Sequence, residues 1–181
     1  MRRDLSRFEY GSYSIGKSKL VLALWTIFGQ PILNVRFFPS LVRVSLLRLY
    51  GAEVAQSVVF KPKVTVLFPW RLSIGSNSWI GENVLIINHE NIEIGHNVCI
   101  SQRTILCSGG HDYKSASLAY KHAPIKIGDG VWICLDSKVL GGSNICQGSV
   151  VAAGEIVRGD IPEYTMFRSG QMIRIEPPTR A

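Results

Sequence analysis

The chain has 181 residues, of which 46% are apolar, so it is long and hydrophobic enough to form one main domain around a continuous core. Twenty Lys and Arg residues against 13 Asp and Glu give a formal charge of +7, which favours an anionic partner such as a phosphorylated cofactor or membrane headgroups. Because no basic run, zinc-finger spacing or RNA-binding signature accompanies the charge, we expect no nucleic acid partner.

The amino-terminal segment, residues 1–53, is predicted to be helical and to cap the rest of the domain. Apolar residues recur at helical spacing between Lys17 and Tyr50, and Gly51 is a suitable residue to end a helix. The apolar run from Leu20 to Gly29 is too short to span a bilayer. A basic, apolar amino end would nevertheless suit peripheral contact with a membrane.

The four cysteines form no Cys-x-x-Cys pair, and the amino end has no signal-peptide cleavage pattern. We therefore expect reduced cysteines and a cytoplasmic location, at the inner face of the membrane if the amino-terminal contact forms.

A period of six residues begins at Val54 and decides the fold class. The periodic positions are all bulky and apolar, in groups of three: Val54, Phe60, Val66; Ile74, Ile80, Ile86; Ile94, Ile100, Leu106; Ile127, Ile133, Val139; Ile145, Val151, Val157. Neither an α-helix, with a period of 3.6, nor a sandwich strand, with a period of 2, explains this spacing.

The pattern predicts an all-β triangular prism in which three short strands form one coil and the coils stack in parallel. We expect about five coils over 54–161, with the periodic side chains inside and small residues at the corners. The early coils are 20 residues apart instead of 18, which predicts a two-residue bulge at one corner of each. An inserted loop over 107–124 follows the third coil, and residues 162–181 form a short tail.

The inserted loop contains the best candidate for catalysis, because insertions in a solenoid form outward loops that often carry function. His111 has the side chain suited to accept a hydroxyl proton near neutral pH during acyl transfer. Either Asp112 or a backbone carbonyl could orient its imidazole, and the Gly109–Gly110 pair could present an N–H to an oxyanion. From the residues alone, a catalytic His111 and an exposed loop histidine are equal alternatives.

Other polar residues near the loop are candidates for binding the acceptor or for a structural role. Asn88 and His89 lie at the corner one coil before the loop and are candidates for binding the acceptor, together with Gly110. We expect His122 to lie on the loop surface. Cys107 occupies a small-residue position of the repeat, so we interpret it as a small apolar residue instead of a nucleophile.

The sequence resembles the hexapeptide-repeat acyltransferases, most closely the colanic-acid-biosynthesis branch of the maltose/galactoside O-acetyltransferase group. The similarity extends from about Leu41 to about Ile175. Its most specific pieces are IGENVLIINHENIEIGHNVCIS at 80–101, LCSGGHDY at 106–113, PIKIGDGVWI at 124–133 and GDIPEYT at 159–165.

This resemblance implies a left-handed β-helix that acts as a homotrimer, with active sites in the clefts between prisms and no metal. It implies acetyl-CoA as co-substrate, a sugar or polysaccharide-precursor hydroxyl as acceptor, and His111 as the catalytic base. Matching positions for coenzyme A are Leu135, Ala153, Arg158 and Arg174, and guanidinium groups suit its phosphates. Trp132 would pack against the cofactor arm or a neighbouring chain, or simply on the edge of the prism.

Two other functions fit the same fold. A zinc-dependent carbonic anhydrase would need three histidines around one metal, and the histidine spacing here does not favour it. A non-catalytic scaffold is the second alternative, because Cys134 and Cys146 replace glycines that are usual in the family and the tail also differs.

Overall fold

The computed structural model describes residues 3–8 and 13–177; residues 1–2 and 9–12 of the predicted amino-terminal segment and residues 178–181 of the predicted tail lie outside the described residues. Most of the chain is a solenoid with three strands per coil. The first three coils comprise β1 (Glu53–Val54), β2 (Val59–Phe60), β3 (Thr65–Val66), β4 (Leu72–Ile74), β5 (Trp79–Ile80), β6 (Leu85–Ile87), β7 (Ile92–Ile94), β8 (Cys99–Ile100) and β9 (Ile105–Cys107). The later coils comprise β10 (Ile125–Ile127), β11 (Trp132–Ile133), β12 (Lys138–Leu140), β13 (Asn144–Ile145), β14 (Val150–Val151), β15 (Ile156–Val157), β16 (Asp160–Ile161) and β17 (Thr165–Arg168).

The strands stack into three parallel sheets that form the faces of a prism. Sheet A has the order β1-β4-β7-β10-β13-β16, sheet B contains β2-β5-β8-β11-β14-β17, and sheet C has β3-β6-β9-β12-β15. There are thus five complete coils and the start of a sixth. The predicted left-handed β-helix is confirmed.

The six-residue period corresponds to the inside of the prism. All fifteen periodic side chains are at most 4% exposed, and equivalent positions pair in register, as Ile74 does with Ile94. Apolar burial is the main stabilising term here, because these side chains pack on their counterparts in the adjacent coils.

Buried serines at the corners keep the backbone polar groups paired. The hydroxyls of Ser78, Ser137 and Ser149 donate to the carbonyls of Gly95, Ala152 and Pro162 over 2.6–2.9 Å. Small side chains are needed because a larger group would collide with the next coil. A Cβ at Gly75, for example, would lie 2.6 Å from the Gly95 backbone carbon.

The third corner, where the chain passes from sheet C to sheet A, contains the irregular parts of the solenoid. The first two coils have extra residues there, a 3₁₀ turn over Pro69–Arg71 and residues 88–91. These account for the 20-residue steps. The long insertion, residues 108–124, lies at this same corner one coil later.

The amino-terminal residues cap the open end of the first coil. They form α1 (Lys19–Leu24), a π-helical turn (Trp25–Gly29), α2 (Gln30–Asn34) and α3 (Ser40–Leu49), after a 3₁₀ turn at Leu5–Arg7. The Trp25 indole donates to the Val66 carbonyl over 2.9 Å, and Gln30 bonds the backbone on both sides of Thr65. No helix in the described part of the chain is long and apolar enough to cross a membrane.

The residues of the predicted tail extend sheet B. Strand β18 (Gln171–Arg174) folds back antiparallel on β17. Its side chains are all exposed. The last coil therefore ends in a hairpin.

Candidate active site

The third corner brings together most of the residues predicted to act on the acceptor. Asn88 and Ser108 occupy it in successive coils, and the Ser108 hydroxyl bonds the backbone N–H and carbonyl of Glu90. The insertion then runs outward and returns, with Asp112 N–H donating to the Ala119 carbonyl over 2.8 Å. These ladder bonds place His111 opposite Tyr120 on the two arms of the loop.

The His111 imidazole is exposed and held by one backbone carbonyl. Its Nδ1 lies 2.5 Å from the Leu118 carbonyl oxygen. A carbonyl can only accept, so Nδ1 carries the proton in the neutral imidazole, and Nε2 has the free lone pair. His111 is therefore in the tautomer that a general base requires.

Asp112, one of the two candidates for orienting His111, lies in a turn. Its carboxylate accepts the Lys114 N–H over 3.0 Å. The open question of what orients the imidazole is thus answered by the Leu118 carbonyl. Asp112 stabilises the loop that holds His111.

The Gly109–Gly110 pair allows close packing instead of offering an oxyanion donor at Gly110. The Gly110 N–H donates to Nδ1 of His122 over 3.1 Å, so the predicted N–H at this residue is already used. A Cβ at Gly109 would lie 2.6 Å from the His89 ring. Glycine is needed here because the loop passes directly over that ring.

Asn88 lies beneath the site with its side chain fully buried. Its Oδ1 accepts the Phe68 N–H over 2.9 Å, and its Nδ2 donates to the Phe68 carbonyl over 2.6 Å. Both ends of the amide thus join two coils. Contact of Asn88 with an acceptor stays a prediction.

His89 and His122 form a stacked pair beside the base, with ring centroids 4.7 Å apart and an interplanar angle of 18°. His122 was expected on the loop surface, and it is instead partly buried, with Nε2 inaccessible and unpaired within the described chain. Burial lowers the pKa of both imidazoles below the usual value, and the charge of the nearby Arg71 lowers it further, while the Glu90 carboxylate offsets part of the shift. Both rings are therefore neutral near pH 7.

An amino-terminal strap, residues 3–8 and 13–16, crosses the site and was missed by the sequence reasoning. Phe8 packs edge-on against Tyr120 at 5.1 Å, and the Tyr13 hydroxyl lies 2.9 Å from Nδ1 of His89. Arg71 lies over the Tyr13 ring at 5.4 Å and bonds the Ser14 carbonyl. The aromatic and basic residues of the strap have no periodicity that could have indicated this position.

Most of the residues predicted to bind coenzyme A lie away from the corner that carries His111. Trp132 is 50% exposed in β11, with its indole donating to Ser101. Leu135 and Ala153 occupy the second corner, between sheets B and C, in successive coils. Arg158 is at the third corner beyond the loop, and Arg174 in β18 donates to the Glu163 carbonyl over 2.7 Å.

A single prism does not bring all these residues to one place. Sheet C separates the corner with Leu135 and Ala153 from the corner with His111. Within residues 3–8 and 13–177, no group of three His, Cys, Asp or Glu residues could hold a metal ion.

Comparisons with known proteins identify the class. WcaF of Escherichia coli (strain K12), named as a colanic acid biosynthesis acetyltransferase, is 33% identical over 179 residues, with 96% of each chain covered. Galactoside O-acetyltransferase of the same strain is 32% identical over 124 residues, covering 66% of this chain and 61% of that protein. No protein-family model matches the chain.

Solved structures agree with the sequence relatives. Galactoside acetyltransferase in complex with coenzyme A superposes with a TM-score of 0.76 at 27% identity, covering 88% of this chain and 84% of that chain. A hexapeptide-repeat acetyltransferase from Vibrio cholerae superposes with a TM-score of 0.74 at 27% identity, covering 87% and 93%. The chain is an acetyltransferase and belongs to the hexapeptide-repeat family that includes the colanic acid acetyltransferase WcaF.

Proposed function

We propose that this enzyme transfers the acetyl group of acetyl-CoA directly to a hydroxyl of a sugar or polysaccharide precursor, with His111 as general base. The observation that supports this role most directly is the 2.5 Å contact between His111 Nδ1 and the Leu118 carbonyl oxygen. It leaves Nε2 unprotonated on an exposed imidazole in the inserted loop.

In this tautomer, Nε2 of His111 can first accept a proton and later return it. Acetyl-CoA supplies the acetyl group as a thioester. Nε2 of His111 accepts the proton of the attacking hydroxyl while its oxygen bonds the acetyl carbon, and the Leu118 carbonyl stabilises the imidazolium through Nδ1–H. Nε2 then returns the proton to the sulfur as the carbon–sulfur bond breaks. Positioned base catalysis of this kind contributes about 10² to 10⁴-fold.

The neutral His89–His122 pair supports this role of His111. A positive charge on either ring would oppose formation of the imidazolium at His111, because all three groups lie at one corner. Burial keeps the pKa of both neighbours low, so neither adds charge near neutral pH. His89, whose ring packs against those of Tyr13 and Phe68, is also one of the residues predicted to contact the acceptor.

The residues predicted to bind the acetyl donor have side chains that are chemically suited to coenzyme A. Arg158 and Arg174 offer guanidinium groups for phosphates, and Trp132 and Leu135 offer apolar surface for the pantetheine arm. We include a homotrimer in the proposal because Leu135 and His111 lie at different corners of one prism. A neighbouring prism would complete the cleft.

The acceptor class is supported by the relatives. WcaF is named for colanic acid biosynthesis, and the galactoside acetyltransferases are named for a sugar acceptor. The aromatic rings of Phe8 and Tyr120, with centroids 6.0 and 5.2 Å from that of His111, are suited to the apolar face of a sugar ring.

The direct test is a panel of acceptors assayed by thiol release from acetyl-CoA, with acetyl-CoA binding measured by calorimetry on the same protein. We expect saturable binding and turnover with a saccharide hydroxyl. Saturable binding without turnover on any saccharide would contradict the acceptor class. Absence of both would favour the non-catalytic scaffold.

A further inference from the structure

The helical cap has two very different sides. Its inner side is packed on the first coil, with Trp25, Leu33, Val44 and Leu47 at most 1% exposed. These buried side chains, and not the exposed ones, attach the cap to the prism. The apolar residues on the outer side therefore need another explanation.

The outer side carries large apolar side chains that are exposed, and we call these residues together the cap face. It comprises Leu20 (69% exposed), Ile27 (62%), Phe28 (60%), Phe37 (90%), Leu41 (64%) and Leu49 (79%). Leu24 and Leu49 line one groove between α1 and α3, and Leu49 also lines a second groove with Ile32 and Leu41. The cap face thus extends over α1, α2 and α3.

Lysines flank these grooves. Lys17 lies in the groove with Leu24 and Leu49, and Lys19 lies in a third groove with Ile15 and Ile27. Both lysines are exposed, so their ammonium groups can reach past the apolar surface. No Asp or Glu occurs between Tyr13 and Ala52.

The excess of positive charge lies in the amino-terminal half of the sequence. Residues 1–81 contain 11 Lys and Arg against 3 Asp and Glu, whereas residues 82–181 contain 9 against 10. The half with Arg158 and Arg174, the predicted contacts of coenzyme A, is nearly neutral. The excess positive charge is therefore not explained by binding of that cofactor.

We propose that the cap face binds anionic lipid bilayers, lying in the headgroup region without crossing the membrane. An exposed apolar surface flanked by basic residues matches a bilayer with negative headgroups, which supplies both an apolar interior and opposite charge. A second copy of the same face would bring two positive surfaces together. Opposite charge therefore favours lipid over self-association.

The test is flotation of the full-length protein with vesicles at low and high salt. We expect binding to vesicles of equal parts phosphatidylcholine and phosphatidylglycerol, weaker binding at high salt, and little binding to pure phosphatidylcholine. Replacing Phe28 and Phe37 together by serine should weaken binding by at least about tenfold. Replacing Lys17 and Lys19 by glutamine should weaken it by about fivefold per lysine.

Matched controls lie at the other end of the prism. Ile156→Ser and Met172→Ser alter side chains that are 57% and 55% exposed but outside the cap. They should bind vesicles as the wild type does, and all variants should keep the wild-type melting temperature and acetyl-CoA binding. Absence of binding to the anionic vesicles overturns the proposal, as does equal weakening in the controls. A larger wild-type assembly that Phe28→Ser/Phe37→Ser dissociates, without vesicle binding, would show self-association instead.

Discussion

The interior of the prism and the loop at its third corner are built by different kinds of interaction. Inside, one apolar position is repeated fifteen times, and each side chain is supported by equivalents in the adjacent coils. In the loop, single directional contacts hold the imidazole, such as those of Leu118 with His111 and of His122 with Gly110.

The difference indicates where each property of the protein is encoded. Apolar burial has no direction, so the interior determines stability and tolerates no polar function. Hydrogen bonds and tautomers are directional, so the loop determines catalysis and contributes less to stability. Substitutions in the two regions should therefore separate stability from activity.

The largest expected loss of stability comes from the interior. Ile133 is fully buried and pairs in register with Ile100 and Val151. Ile133→Ala should lower the free energy of unfolding by about 2–5 kcal/mol, measured by denaturant unfolding at one chain concentration. Ile156→Ala, at an exposed position, should change it by less than about 0.5 kcal/mol. Equal losses would contradict the assignment of the interior.

Asn88 tests the boundary between the two regions. Asn88→Ala leaves the Phe68 N–H without a partner in a buried site and the Phe68 carbonyl with only the Arg71 N–H, which should cost about 1–3 kcal/mol in unfolding free energy. Asn88→Asp should also destabilise the fold, because a carboxylate cannot donate to the Phe68 carbonyl. A raised KM for the acceptor with unchanged stability would instead support the predicted acceptor contact.

His122 tests the loop itself. His122→Ala removes the acceptor of the Gly110 N–H next to the base, so we expect kcat to fall by about tenfold to a hundredfold through misplacement of His111. His122→Asn offers a polar atom near the position of Nδ1 and should restore much of the activity. Acetyl-CoA affinity, measured by calorimetry, should stay the same in both. Equal activity of the alanine variant and the wild type would contradict the positioning role.

The smallest effect is a pH dependence of stability. His89 and His122 have a lowered pKa in the folded protein, so the unfolded chain binds protons first as the pH falls. Stability should therefore decrease below pH about 6.5, the ordinary pKa of histidine. It should level off once both rings are protonated in the folded state.

The measurement is the melting temperature as a function of pH for the wild type and for His89→Gln/His122→Gln. The double variant should show a flatter curve below pH about 6.5. An identical slope in both proteins would contradict neutral burial of the pair.

The fold could be predicted because its signal is repeated. A six-residue period places each interior side chain without knowledge of any individual contact, and the 20-residue steps indicate the bulges at one corner. The hairpin of β17 and β18 could not be predicted, since it follows no repeat.

The site was predicted only in part, for the same reason. His111 was indicated by its chemistry and by its place in an insertion. The contact of Tyr13 with His89 joins residues 76 positions apart, and the stacking of His122 on His89 depends on the path of the loop. Such contacts are specified by tertiary geometry that a local pattern does not encode.

The central claim is that Nε2 of His111 accepts the hydroxyl proton. The most direct measurement is the rate of thiol release from acetyl-CoA by His111→Ala, with a saccharide acceptor that the wild type uses. We expect kcat to fall by about 10² to 10⁴-fold, with the melting temperature and acetyl-CoA affinity unchanged. Turnover near that of the wild type would contradict the claim.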